Sequence, residues 1–197
     1  MVRFTIDGKE IEAKEGTSVL EAARYHGFYI PTLCYHEAVS PSGACRLCVV
    51  EVDEGGRRRV VVSCMYPVKE GIEVFTDTER VRNVRRWILE MLLAECPASE
   101  RVRELAASHG VHSTRFEVHD PTAECVLCGL CVRVCAEVVG VSALTTVGRG
   151  VNKRISTAFM HPDVCVGCGS CVSICPTGAM ARIWEEIRPK GAVKLAE

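Results

Sequence analysis

The stretch CVLCGLCVRVCA, Cys125 to Ala136, carries four cysteines at intervals of three, three and four residues. A near-copy, CVGCGSCVSICP, runs from Cys165 to Pro176. The first copy ends in Cys-Ala where the second ends in Cys-Pro, so whatever the thiols hold must tolerate that change. A third, looser set is formed by Cys34, Cys45, Cys48 and Cys64. Twelve of the thirteen cysteines fall into these sets of four, which leaves Cys96 over.

The rest of the composition narrows what such sets can be. The chain has 197 residues and a formal charge of −1, without the basic excess of a nucleic-acid binder. Its apolar runs are far shorter than a membrane span, and MVRFTIDGKE lacks the apolar core of a signal peptide. A cytoplasmic protein is the default expectation. In a reducing cytosol, dense cysteines bind metal more readily than they form disulfides.

Disulfides fit the dense motifs badly. They need Cα atoms about 4.4–6.8 Å apart with matched geometry, and three thiols within seven residues cannot all find partners. Structural zinc closes a tetrahedron with two well-separated Cys-x2-Cys pairs, whereas here a third cysteine follows at the same spacing. The run C-x2-C-x2-C-x3-C-P is instead the bacterial ferredoxin signature, in which three cysteines bind one [4Fe–4S] cluster and the fourth ligates the other. On that pattern Cys125, Cys128 and Cys131 share a cluster with Cys175. Cys165, Cys168 and Cys171 share one with Cys135. The crossed fourth ligands would tie together two halves too small to rely on an apolar core. Pro176 is not a ligand; it fixes the backbone, so Ala136 costs rigidity and no metal bond.

The N-terminal set, Cys34-x10-Cys45-x2-Cys48-x15-Cys64, is similar to the plant-type [2Fe–2S] spacing without matching it, since there the first gap is shorter and the last much longer. A [2Fe–2S] cluster is the expectation and zinc the competing one. The loop Pro41-Ser42-Gly43-Ala44-Cys45-Arg46-Leu47-Cys48 places small residues where backbone N–H groups must approach sulfide.

Around these sets the chain reads as α+β. Val2–Ile6 and Lys9–Ala13 alternate about an Asp7-Gly8 turn, and Ser18-Val19-Leu20-Glu21 has the form of a capping box that opens a helix to about His26. Arg46–Val52 and Arg57–Ser63 are β-rich runs joined by Asp53-Glu54-Gly55-Gly56, and Ile72–Phe75 closes the unit. Thr76-Asp77-Thr78-Glu79 has the form of a second capping box. Val81, Val84, Ile88, Met91 and Leu92 follow at helical spacing, until Cys96-Pro97 ends the run. A short helix is expected over about Ser99–Ser108, and a hairpin from Ala143–Val147 and Arg154–Phe159 about Gly148-Arg149-Gly150. The expected segments are 1–77 for the first cysteine set, 78–115 for a helical connector, and 116–197 for the two dense motifs.

These residues together make the chain resemble the iron–sulfur electron-transfer subunit of NAD(P)-coupled hydrogenases. That subunit is related to the N-terminal part of the complex I iron–sulfur subunit and of iron-only hydrogenases. The resemblance runs from Met1 to about Ile187 and rests on the Cys34–Cys64 set, the connector helix and the two dense motifs. It implies a β-grasp fold for the first segment and a two-cluster bacterial ferredoxin fold for the last. It also implies an NAD(P)H-linked flavoprotein partner and a hydrogenase at the far end, with an NAD(P)-dependent formate dehydrogenase or a complex I-like assembly as alternatives. A free-standing soluble polyferredoxin is the rival of a different class, and it would purify alone.

The chain departs from that family at one place. Relatives carry a His-x3-Cys-x2-Cys-x5-Cys set after the connector helix, which binds a further [4Fe–4S] cluster. Here Ala94-Glu95-Cys96-Pro97-Ala98-Ser99 offers a single thiol, which cannot hold a cubane. No Gly-x-Gly-x-x-Gly or P-loop is present, so the expectation is an electron conductor with no nucleotide site and no catalytic site of its own. His26, His36, His109, His112, His119 and His161 are scattered, and His36 beside Cys34 is read as solvated or packed. Arg57-Arg58-Arg59 and the arginines Arg80, Arg82, Arg85 and Arg86 are read as solvated faces, with docking to an acidic partner the alternative.

Overall fold

The computed structural model of the chain describes residues 1–157 and 162–187. β1 (Val2–Ile6) and β2 (Lys9–Ala13) form an antiparallel hairpin in the register Val2↔Ala13 to Ile6↔Lys9. Alternation buries Phe4 and Ile6 on one strand and Ile11 and Ala13 on the other. The helix α1 (Val19–Tyr25) lies on that face and buries Val19, Leu20, Ala22 and Ala23. Its capping box is complete: the Glu21 N–H donates to the Ser18 hydroxyl at 3.2 Å, and the Ser18 N–H donates to the Glu21 carboxylate at 2.9 Å.

The sheet is completed by β3 (Val49–Glu54), β4 (Arg57–Val62) and β5 (Glu73–Phe75), in the order β2-β1-β5-β3-β4. Only β1 and β5 run parallel. β3 is buried from Val49 through Val52 rather than alternating, because α2 (Glu79–Glu95) covers its second face. The Arg85 guanidinium on α2 donates to the Val49 carbonyl at 2.8 Å, and Arg80 lies 3.6 Å from the Glu51 carboxylate.

Three sequence expectations change here. Arg46–Cys48 does not extend β3; Arg46 sits at φ 59° and the three residues belong to the cysteine loop. The α2 cap is Thr78, which accepts from the Val81 N–H at 3.2 Å, and not Thr76. Thr76 is used elsewhere: its N–H and hydroxyl donate to the Asp7 carboxylate at 2.8 and 2.6 Å, tying the end of β5 to the first turn. The buried stripe of α2 is Val81, Arg85, Ile88 and Leu89, while Met91 is exposed. An arginine on the inner face is invisible to an apolar pattern.

α2 ends at Cys96, and α3 (Glu100–Ser108), capped by Ser99, folds back on it. Beyond lie α4 (Leu130–Arg133), continued by a π-helical turn over Val134–Val138, the hairpin of β6 (Leu144–Val147) and β7 (Arg154–Thr157), α5 (Ser170–Ser173) and α6 (Ala179–Ile187). The end of the expected second hairpin strand, Ala158–Phe159, lies outside the described residues. α4, α5 and α6 were not expected from the sequence. The first two are single turns inside the cysteine motifs, too short for a helical period to register.

The second core gathers Ile88 and Leu89 of α2, Val102 and Leu105 of α3, and Leu130, Leu144, Ile155, Met180 and Trp184 from the C-terminal elements. Leu33, Val39 and Leu47, from the loop that carries Cys34 and Cys45, belong to it too. The N-terminal cysteine loop is therefore walled on one side by the C-terminal part, and the helical connector is a packed wall and not a tether. Each fully buried aliphatic side chain there is worth about 1.5–3 kcal/mol.

Candidate metal centres

Cys34 stands in the loop after α1, Cys45 and Cys48 in the turn that leads into β3, and Cys64 just past β4. The β3–β4 hairpin brings the last two together at its open end. There the Ser63 hydroxyl donates to the Cys48 carbonyl at 2.6 Å and the Ser63 N–H at 3.1 Å. The Cys45 N–H points at the Cys34 sulfur at 3.4 Å. The Cys45 thiol donates to Cys34 and holds it down to about 5, with help from Ser42 and the Ala44 N–H; Cys45 is pushed up by the same bond. Cys64 does the same for Cys48, which falls to about 6, while Cys64 rises. The charges of Cys48, Cys34 and Cys45 raise Cys64 further. Four buried or half-buried thiols with backbone N–H groups aimed at sulfur form a donor set suited to a cluster whose sulfurs accept such bonds.

The dense motifs fold alike. Gly129 and Gly169 take φ 72° and 75° at the starts of α4 and α5, a left-handed conformation that glycine adopts without strain. Two residues earlier, Gly167 sits at φ 68° while its counterpart Leu127 holds φ 49° at a steric cost of about 1–2 kcal/mol. Each motif thereby wraps its first three thiols around one turn. The turns lie beside each other, and the fourth cysteines exchange.

Cys125, Cys128, Cys131 and Cys175 line one cavity, closed by Leu130, Met180 and Ile183 among others. Cys135, Cys165, Cys168 and Cys171 line a second, against Val139, Leu144 and Trp184. Burial pushes the Cys128, Cys131 and Cys171 thiols up to about 11, 12 and 11, and raises Cys125 as well. The Ser170 hydroxyl and N–H lower the exposed Cys168. The Ala143 N–H donates to the Cys135 sulfur at 3.2 Å. Among the described residues no three His, Cys, Asp or Glu side chains are grouped so as to hold a single metal ion. Four thiols spread around each cavity suit a body of several atoms.

The Ala136/Pro176 difference has a structural reason beyond rigidity. After Cys135 the helix runs on through the π-helical turn to Val138, and the Val139 N–H bonds the Val134 carbonyl at 3.0 Å. A proline at 136 would put its ring and its missing N–H inside a helix. After Cys175 the chain turns through Thr177 and Gly178 into α6, where proline is accommodated.

Cys96 lines neither of these cavities. It is fully buried, its Sγ donates to the Leu92 carbonyl at 3.0 Å, and burial pushes its thiol up to about 12. A ligand shared with another chain would need access that this thiol lacks. Native protein at pH 8 should take up a thiol reagent no faster than its Cys96→Ala variant, which should keep its iron and lose about 1 kcal/mol of stability. Faster labelling of the native chain, traced to Cys96, would contradict the burial.

His36 uses Nδ1 to accept the Ala38 N–H at 3.1 Å, a local turn contact. His161 lies outside the described residues. Arg58 lies 3.2 Å from Asp53 and stacks on Phe75, and Arg59 lies 2.5 Å from Glu54, so these two of the three hairpin arginines are met by neighbours within their own sheet. No helix among the described residues is long and apolar enough to cross a membrane.

A sheet-based unit that holds four cysteines, followed by a paired four-cysteine unit, defines a chain with [2Fe–2S] and [4Fe–4S] ferredoxin-like parts. A 2Fe-2S iron-sulfur cluster binding domain matches residues 1–79, and a 4Fe-4S dicluster domain matches residues 124–179. The chain is 36% identical over 203 residues to the NADPH-Fe(3+) oxidoreductase subunit alpha of Geobacter sulfurreducens, covering 91% of this chain and 24% of that protein. It is 34% identical to the NADP-reducing hydrogenase subunit HndD of Solidesulfovibrio fructosivorans, over 95% of this chain and 37% of that one. With the NADH-ubiquinone oxidoreductase 75 kDa subunit of Reclinomonas americana the identity is 33%, over 94% and 31%. The chain thus spans between a quarter and about two-fifths of the length of these curated relatives. A chain in a crystal structure of NAD+-reducing [NiFe]-hydrogenase in the H2-reduced state superposes with a TM-score of 0.76 at 33% identity, over 90% of this chain and 85% of that one. The protein belongs to the iron–sulfur family of which these hydrogenase and oxidoreductase subunits are members.

Proposed function

We propose that the chain is a three-centre electron wire. One [2Fe–2S] cluster is held by Cys34, Cys45, Cys48 and Cys64 in a β-grasp unit over residues 1–77. One [4Fe–4S] cluster is held by Cys125, Cys128, Cys131 and Cys175, and a second by Cys165, Cys168, Cys171 and Cys135, in a two-cluster unit that begins near residue 116. The helices between form the wall that joins them. The observation that carries the assignment is the pair of four-thiol cavities, each of which takes its fourth cysteine from the other motif.

The wire runs between an NAD(P)H-linked flavoprotein, which splits hydride chemistry into single electrons, and a redox catalytic subunit, most naturally a hydrogenase. The resemblance to hydrogenase-associated chains supports that terminus. The thiols supply anionic ligands, and the N–H groups of Cys45 and Ala143 stabilise charge on sulfur.

Iron and sulfide analysis of anaerobically purified chain tests the assignment. About ten irons and ten sulfides per chain are expected from one [2Fe–2S] and two [4Fe–4S] centres. The loaded chain alone should take electrons from dithionite yet oxidise no NAD(P)H until a partner flavoprotein is added. Stoichiometric zinc, or sustained NAD(P)H-dependent dye reduction by flavin-free chain, would overturn this function.

A further inference from the structure

The two dense motifs are near-copies, and the places where they differ in charge are not scattered. Between its third and fourth cysteines the first copy reads Val132-Arg133-Val134 and the second Val172-Ser173-Ile174, so the apolar positions match and the middle one does not. Two residues past the fourth cysteine stand Glu137 and Thr177. Both charged residues of the first copy reach the same loop, the one that begins at Cys34. The Arg133 Nη2 donates to the Cys34 carbonyl at 2.9 Å and to the Cys128 carbonyl at 3.3 Å, and its Nη1 donates to the Ser40 carbonyl. Glu137 accepts the Ser40 N–H at 2.7 Å.

Cys34 belongs to the N-terminal cysteine set and Cys128 to the first dense motif, so one half-buried guanidinium is bonded to the backbone of a cysteine from each. A planar fork with five donors can serve three carbonyls at once, which an ammonium or a hydroxyl cannot do with the same rigidity. Each of these hydrogen bonds ends on a carbonyl oxygen, and the Glu137 carboxylate, which meets the same Ser40 backbone and is lowered in part by Arg133, offsets some of the positive charge. The second motif, with Ser173 in the matching place, has no such cation.

We propose that Arg133 is the positioning residue of an electron junction. It fixes the Cys34 loop against the first dense motif and gives the two centres there a shared positive charge. The proposal rests on the cluster assignment above. Reduction adds negative charge to a centre, and a fixed cation at a half-buried junction favours it, so both centres become easier to reduce, and more so than the centre of Cys165, Cys168, Cys171 and Cys135, none of whose carbonyls Arg133 bonds.

Redox titration of the loaded full chain, followed by EPR, is the test. In Arg133→Met the [2Fe–2S] centre and one [4Fe–4S] centre should each lose about tenfold in the ratio of reduced to oxidised form at a fixed potential, about 59 mV for one electron, while the other [4Fe–4S] centre shifts by clearly less. Arg133→Lys, which keeps the charge, should restore most of that ratio. It should still leave the Ser40 amide exchanging with solvent about tenfold faster, because a point donor cannot hold the loop as the fork does. If Arg133→Met fails to hold its clusters, Arg133→Gln removes the charge, keeps donors and carries the same titration. Unchanged potentials in the charge-free variants, or equal shifts at all three centres, would overturn the proposal. A native chain with fewer than three centres would refute the cluster assignment instead, and iron analysis of native protein separates the two failures.

Discussion

Cys135→Ala is expected to remove the cluster of the other motif. Cys135 lies in its own motif by sequence but lines the cavity of Cys165, Cys168 and Cys171. Loss of its thiolate leaves that cavity three ligands, with the Ala143 N–H that bonded the Cys135 sulfur left without its acceptor. Iron should fall from about ten to about six per chain, and the [2Fe–2S] signal should persist. Cys175→Ala should do the converse, emptying the cavity of Cys125, Cys128 and Cys131. Because each fourth cysteine also joins the two halves, and metal binding here is folding energy, yield should drop in both variants. If Cys135→Ala instead costs the cluster of Cys125, Cys128 and Cys131, each motif holds its own four ligands and the crossed pairing is wrong.

Trp184→Ala should be the most damaging change away from the ligands. The indole is 1% exposed, sits one turn beyond the buried Met180 on α6, and walls the second cavity beside Val139 and Leu144. Truncation removes its buried apolar surface and leaves a void next to the thiols, at a cost of about 3–5 kcal/mol. Against a domain stability of about 5–15 kcal/mol, that is enough to let water into the second [4Fe–4S] site and shorten its life in air. Denaturant unfolding and the decay of cluster absorbance measure the two effects. Trp184→Phe, which keeps a ring in the cavity wall, should recover more than half of the loss. A Trp184→Ala chain within about 1 kcal/mol of native, with undiminished cluster lifetime, would show that α6 does not support the site.

Strands and caps in the first half were legible because their determinants are local. Alternation over β1 and β2, the turn between them, and the Ser18–Glu21 box each lie within a few residues, and the structure builds them in place. The candidate ligands were legible for a related reason: three thiols at a spacing of three share one turn, whatever the rest of the chain does. Where neighbours compete, local signals failed. Thr76, with Glu79 three residues on, fits a capping box where Thr78, with Val81, does not, yet the distant Asp7 carboxylate claimed the Thr76 hydroxyl and left the cap to Thr78.

What the sequence determined by itself was therefore the candidate donor sets, the α+β pairing of segments and the class of cofactor, since ligand type and spacing are chemical constraints on short loops. Tertiary structure alone decided which walls close around them. Arg85 passes for part of a solvated basic cluster until β3 covers it, and Arg133 looks like a surface residue on a four-residue helix. Its carbonyl partner at Cys34 lies ninety-nine positions away, a distance over which no periodicity, cap or spacing carries information. Only the shared core of Leu33, Leu47, Leu130 and their neighbours brings those two backbones within reach of one guanidinium. The reason is that burial is non-directional: it collects apolar side chains from anywhere in the chain, and the polar contacts that result are set by the collected geometry.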